Sequence, residues 1–299
     1  MLRKITDKIS MVISETGFTY CNCIYINDDI RAIIDTGANP RSLAEINPEQ
    51  VDMVLNTHHH YDHTRGNALF CNARFYIHPF DAPALASPEA FIHYNSIDMW
   101  MDIMPGDEFV QAGNMLGLSA ESMDHLGDID GTLKDGEIID FGSTKALVMH
   151  TPGHSAGHCV FFFPEEELLF AGDVCLTKAG PWYGEIYANP DQMIDSIDRI
   201  IELNPPRLTS CHVNKIYNDT APRLTEYKNR IFRRDERIYE FLKNKPATIH
   251  DMAEHHLIYI QHPTPFVVFW EKLMLIKHLE RLQKVGRVYE AEPGLYYSV

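Results

Sequence analysis

THHHYDHTRGN, residues 57–67, places four histidines and one aspartate within the six positions from His58 to His63. So much imidazole and carboxylate in one place is costly unless a common partner draws the groups together. Imidazole is the commonest metal ligand, and carboxylate oxygen is the next choice at a hydrolytic metal. The preceding residues, VDMVLNT (51–57), read as an apolar strand that runs directly into the histidines. His58 and His60 are two apart at the strand end, so both face one side. His59 faces the other way and is not expected among the ligands. Asp62 and His63 follow in a turn, where the backbone changes direction.

The same pattern recurs downstream. KALVMHT (145–151) reads as a strand, and HTPGHSAGH (150–158) sets His154 in a Pro-Gly turn directly after it. LLFAGD (168–173) ends on Asp173, and LTSCH (208–212) ends on His212. Each residue stands where an apolar strand stops, and open sheets gather their sites at strand ends.

The ordered set H-x-H-x-D-H, then His in T-P-G-H, then G-D, then a late His, resembles the metallo-β-lactamase superfamily over about residues 10 to 215. The resemblance implies an α/β fold, an αββα sandwich of two mixed β-sheets flanked by helices. It implies that His58, His60 and His154 bind one divalent metal ion and that Asp62, His63 and His212 bind a second. Asp173 would bridge the two, and Asp62 would also count as catalytic. Asp35, in IIDTG (33–37), would not be a ligand but would brace the metal-binding loop by hydrogen bonds. His154 and His158 compete for one role, and the family pattern favours His154. This set leaves room for a bridging water, activated as hydroxide near neutral pH. Zinc is the expected metal, with iron or manganese suited to the same donors.

The implied reaction is hydrolysis of a small ester, thioester or lactone, with hydroxyacylglutathione hydrolases the nearest members by motif. The usual glutathione-binding basic residues have no evident counterpart. Two other chemistries of the superfamily stand as alternatives: a metal-dependent nuclease or phosphodiesterase, and a mononuclear iron sulfur dioxygenase. Trp182 and Tyr183, in the aromatic loop VCLTKAGPWYGEIY (174–187), are candidates for a substrate wall.

Bulk composition narrows the partners. The chain has 299 residues, 45% of them hydrophobic, with a formal net charge of −16. That charge opposes non-specific binding to nucleic acid or to anionic membranes and leaves a small-molecule substrate as the expected partner. The six cysteines form no C-x-x-C pair and read as reduced thiols of a cytoplasmic protein. The opening residues carry no signal-peptide run, and no stretch approaches the roughly 18–20 apolar residues of a membrane span.

After Pro222 the pattern changes to three helices and a hairpin, the order of a winged-helix module. The chain therefore divides into a catalytic domain (1–222) and a winged-helix-like domain (223–299). The second part holds 13 Lys and Arg against 10 Asp and Glu, and the first part a net −19. A tail of only +3 is poor material for phosphate binding, so it is expected to act in packing, as a lid or in a homodimer. The segment 88–104, PEAFIHYNSIDMWMDIM, reads as one helix serving as core, lid or dimer contact. A Gly- and Asp-rich loop with a hairpin turn is expected over 117–137.

Overall fold

The structure is a computed structural model, and it describes all residues except 15–18, 107–108 and 110–122. The first part of the expected 117–137 loop thus lies outside the described residues. From 131 onward the expected hairpin does not form: β7 (Gly131–Thr132) and β8 (Ile138–Asp140) join different sheets, and the turn between them carries the chain from one sheet to the other.

Two mixed sheets face each other. The first runs β1 (Leu2–Lys4), β2 (Ile9–Val12), β3 (Cys23–Asn27), β4 (Arg31–Ile34), β5 (Met53–Leu55), β6 (Arg74–Ile77) and β7, in that spatial order. Its first four strands pair antiparallel and the remainder parallel. The second sheet has the order β13 (Val213–Tyr217), β12 (Arg207–Ser210), β11 (Leu168–Phe170), β10 (Cys159–Phe163), β9 (Lys145–His150), β8. Only β11 and β12 run parallel there.

Period-two alternation builds the layers. On β10, Phe161 and Phe163 enter the core between the sheets with Ile24, Ile33 and Val54. Val160, beside Phe161 in sequence, joins the opposite cluster under the helices with Met193, Ile197 and Ile200. Burying each such side chain contributes about 1.5–3 kcal/mol. The three helical residues belong to α5 (Pro190–Leu203). This helix starts as its sequence suggests: Pro190 occupies its first turn, and the Asn189 side chain accepts from the Asp191 and Gln192 amides.

Among the described residues, four short helices precede it: α1 (Pro40–Leu43), α2 (Tyr61–Thr64), α3 (Pro88–Tyr94) and α4 (Trp100–Ile103). The single helix expected over 88–104 is thus broken. Ser96 takes φ +57°, a left-handed conformation no α-helix continues through. The break lets Trp100 turn inward, 2% exposed, against Phe266 and Phe269 at ring distances of 4.9 and 4.8 Å. That part of the segment packs within the chain.

The C-terminal part comprises α6 (Thr220–Asn244), α7 (Ile249–Glu254), α8 (Pro265–Lys284) and the hairpin β14 (Val288–Glu292) and β15 (Leu295–Ser298). Thr248 and Asp251 close a reciprocal capping box at the start of α7. These helices share one apolar cluster with the second sheet: Leu224, Tyr227 and Ile231 of α6 and Met274 and Leu275 of α8 join Met149, Val160 and Leu169. Among the described residues no helix is long and apolar enough to cross a membrane. All six cysteines are free, and Cys71 alone is exposed.

Candidate metal centre

The site lies where four strands stop. β5 leads into His58 and His60, and α2 follows at once with Asp62 and His63. β9 leads into the turn with His154, β11 into Asp173, and β12 into His212. The two sheets bring these strand ends to one edge of the sandwich.

His58, His60 and His154 converge. His58 Nε2 lies 2.9 Å from His60 Nδ1, and His154 Nε2 lies 3.1 and 3.0 Å from those two atoms. The other nitrogen of each ring decides what faces inward. Trp182 O can only accept, so His154 Nδ1 donates to it at 2.9 Å. The Glu185 carboxylate accepts from His60 Nε2 at 2.7 Å. Thr57 Oγ1 donates to Asp35 and therefore accepts from His58 Nδ1 at 2.9 Å. Each imidazole has its proton on the outer side, so three lone pairs point at one spot with no hydrogen between them. A cation satisfies that arrangement; another side chain does not. Burial, joined by the neighbouring histidines, holds His58 well below the ordinary imidazole range. Burial also lowers His154 to about 4, against the opposing pull of Asp173. Both rings are thereby kept neutral, as ligands must be.

The second group is carboxylate-rich. Asp173 Oδ1 lies 3.3 Å from His63 Nε2 and 3.2 Å from His212 Nε2, and Asp62 Oδ2 lies 3.5 and 3.3 Å from the same two nitrogens. The other Asp173 oxygen, Oδ2, sits 3.2 Å from His154 Nε2 in the first group. His63 Nε2 and Asp173 Oδ1 are buried without a hydrogen-bond partner. Burial would lower His63 and His212, but Cys21, Asp62, Asp173 and Asp35 outweigh it at His63, and Asp173 and Asp62 at His212, so both are held well above the usual range. Burial would raise Asp173, yet His212, His63 and His154 hold it well below the carboxylate range. The pocket calls for positive charge, and the donor set, imidazole and carboxylate, fits two divalent ions.

Asp35 lies outside the donor set. At φ +61° it turns its carboxylate under the loop, accepting from Thr57 N at 2.8 Å and from His63 Nδ1 at 2.9 Å. His158 lies outside it too: its Nε2 accepts from the Asp173 amide at 2.9 Å. Gly37 makes room for the loop, because a Cβ there would sit 1.5 Å from Asp62 O.

The two aromatic candidates separate. The Trp182 ring stands 5.2 Å from His60 and 5.4 Å from His154, half-buried, as one wall of the first group. Tyr183 does not join it. Adjacent residues in extended chain face opposite ways, and Tyr183 is 0% exposed with its hydroxyl 2.9 Å from His278 Nε2. The substrate-wall reading is corrected for Tyr183.

Sequence reasoning passed over Glu185 and Asp81. Glu185 Oε2 meets His60 and also lies 3.2 Å from His59 Nε2, whose Nδ1 is 3.1 Å from Asp81 Oδ2. Burial would lower His59, but Glu185 and Asp81 raise it to about 10. The signal available was chemical: an acidic residue inside the otherwise apolar GPWYGEIY. Spacing offered none.

The metallo-beta-lactamase superfamily model matches residues 16–212. A hydroxyacylglutathione hydrolase of Synechococcus sp. (strain JA-3-3Ab) is 31% identical over 190 residues, 61% of this chain and 59% of that protein. The chain spans between about half and three fifths of the length of such curated relatives. A metallo-beta-lactamase family protein from Thermus thermophilus superposes with a TM-score of 0.80 at 24% identity, covering 99% of this chain and 100% of that one. TTHA1623 in a di-iron-bound form superposes with a TM-score of 0.51 at 24% identity, over 71% of this chain and 96% of that one. The fold, the strand-end donors and the match across about two thirds of the sequence agree, and the chain belongs to the metallo-beta-lactamase superfamily.

Proposed function

We propose that this protein is a binuclear metal-dependent hydrolase of a small ester, thioester or lactone, with a thioester the first choice. The observation that carries the reading is Asp173, whose two oxygens reach the two histidine groups separately, at 3.2 Å from His154 and 3.2 Å from His212. His58, His60 and His154 would hold one ion, and Asp62, His63 and His212 the other, with Asp173 shared. Zinc suits these donors first, and iron or manganese suit them too. Two such ions supply Lewis acidity toward an acyl oxygen and acidify water.

The chain's own groups do the rest. Asp62 and His212 keep 20% and 26% of their side chains exposed, so the substrate arrives over the second group. Asp62 is the carboxylate best situated to hold a proton of the attacking water. The Trp182 ring borders the first group and limits water there. The likeness to hydroxyacylglutathione hydrolases supports an acyl thioester as substrate.

The test is a panel of thioesters, lactones, esters and phosphodiesters with the metal-loaded chain. Hydrolysis of a hydroxyacyl thioester, lost in His60→Ala, is the expected result. Cleavage of phosphodiesters alone would replace this reading with the nuclease one.

A further inference from the structure

The irregular loop from Ala179 to Glu185 touches the histidine trio twice, through the Trp182 carbonyl on His154 and the Glu185 carboxylate on His60. It has no ladder or helix of its own to hold it. The C-terminal helices hold it instead. Arg234, on α6 and 4% exposed, donates through Nη1 to Pro181 O at 2.6 Å and to the Tyr183 hydroxyl at 3.0 Å. Its Nη2 donates to Ala179 O at 2.7 Å. The chain passes so close that a Cβ on Gly180 would stand 3.0 Å from Arg234 Nη2.

The Tyr183 hydroxyl ties the same loop to α8. His278 Nδ1 donates to Asp235 Oδ1 at 2.7 Å, so His278 Nε2 accepts from Tyr183 at 2.9 Å. Arg281 Nε anchors the other oxygen of Asp235 at 2.8 Å. The partners of the Arg234 fork are neutral oxygens. Burying a guanidinium against carbonyls is costly, and its planar fork fixes three loop oxygens in one plane.

We infer that Arg234 is a positioning residue for the metal centre, acting through residues 179–185 to orient His154 and His60, so that the C-terminal helices serve the site as its outer brace. The inference rests on the metal-binding reading above. If the loop drifts, His154 loses the carbonyl that fixes its tautomer and His60 loses its carboxylate. Such outer partners typically carry about 10- to 100-fold in metal affinity.

The experiment uses the full-length chain loaded with cobalt(II), read by its visible spectrum and by cobalt release to a chelator. Arg234→Met is compared with Arg237→Met, which removes a bond of the same kind from the same helix, to Leu257 O at 2.7 Å, away from the site. We expect Arg234→Met to release one of two cobalt ions about 10- to 100-fold more readily and to shift the spectrum. Arg237→Met should leave both readouts as in the parent. Equal behaviour of the two variants, whether both unaffected or both weakened with stability, overturns the inference. Should Arg234→Met fail to fold, Arg234→Lys keeps charge and stem without the fork and carries the same comparison. A parent chain that binds no cobalt overturns the metal reading itself, and this inference with it.

Discussion

Asp173 reaches His154 with one carboxylate oxygen, Oδ2 to Nε2 at 3.2 Å, and turns the other toward His63 and His212. A side chain so placed couples the two donor groups, which the 58–63 segment otherwise links through its backbone. Asp173→Ala should lower metal content and hydrolysis together, the rate by roughly 100-fold or more. Far-UV circular dichroism should stay unchanged, since the carboxylate supports no strand. Full activity at reduced metal content would contradict the shared role.

Gly37 lies under the loop of the second group. Gly37→Ala brings a methyl against Asp62 O, at 1.5 Å before relaxation. The backbone carrying Asp62 must move, so elemental analysis should find the bound metal closer to one ion per chain than two. Unchanged metal content would show that the loop yields without disturbing Asp62.

Phe161 is fully buried between the sheets. Phe161→Ala should destabilise the fold by about 3–5 kcal/mol in urea titration, through lost transfer energy and the cavity left behind. A loss below about 1 kcal/mol would mean the interface repacks freely.

His78 stacks on His150 at 3.9 Å, and burial, together with His150, lowers its pKa to about 4 from 6.5. The unfolded chain therefore takes up this proton first as pH falls. Between about 6.5 and 4 the unfolded state binds more protons, so stability drops with falling pH in that window. His78→Phe keeps the stack and removes the titration. Its melting temperature should fall less between pH 6.5 and 4 than that of the parent. An identical slope would remove His78 from the acid response.

The sequence carried the strand-end donors because each follows an apolar run, and a strand's period fixes which residues leave the sheet edge together. The sandwich was legible through the family resemblance alone, because β9, β10 and β11 are apolar toward both cores and their residues do not mark which core each enters. Ser96 was not legible as a break, because its left-handed backbone leaves no mark on the apolar spacing around it. Glu185, Asp81 and Arg234 were not legible either. They act through contacts between residues far apart in sequence, from 22 positions for Asp81 and His59 to 125 for Glu185 and His60, and no local pattern records such distances. The Tyr183 error has the same root: an aromatic beside a site shows its composition and not its direction.

Anomalous diffraction from crystals grown with zinc tests the central claim most directly. The account predicts two peaks flanking Asp173, one among His58, His60 and His154 and one among Asp62, His63 and His212. No peak at that strand edge, or a lone peak away from Asp173, would contradict it.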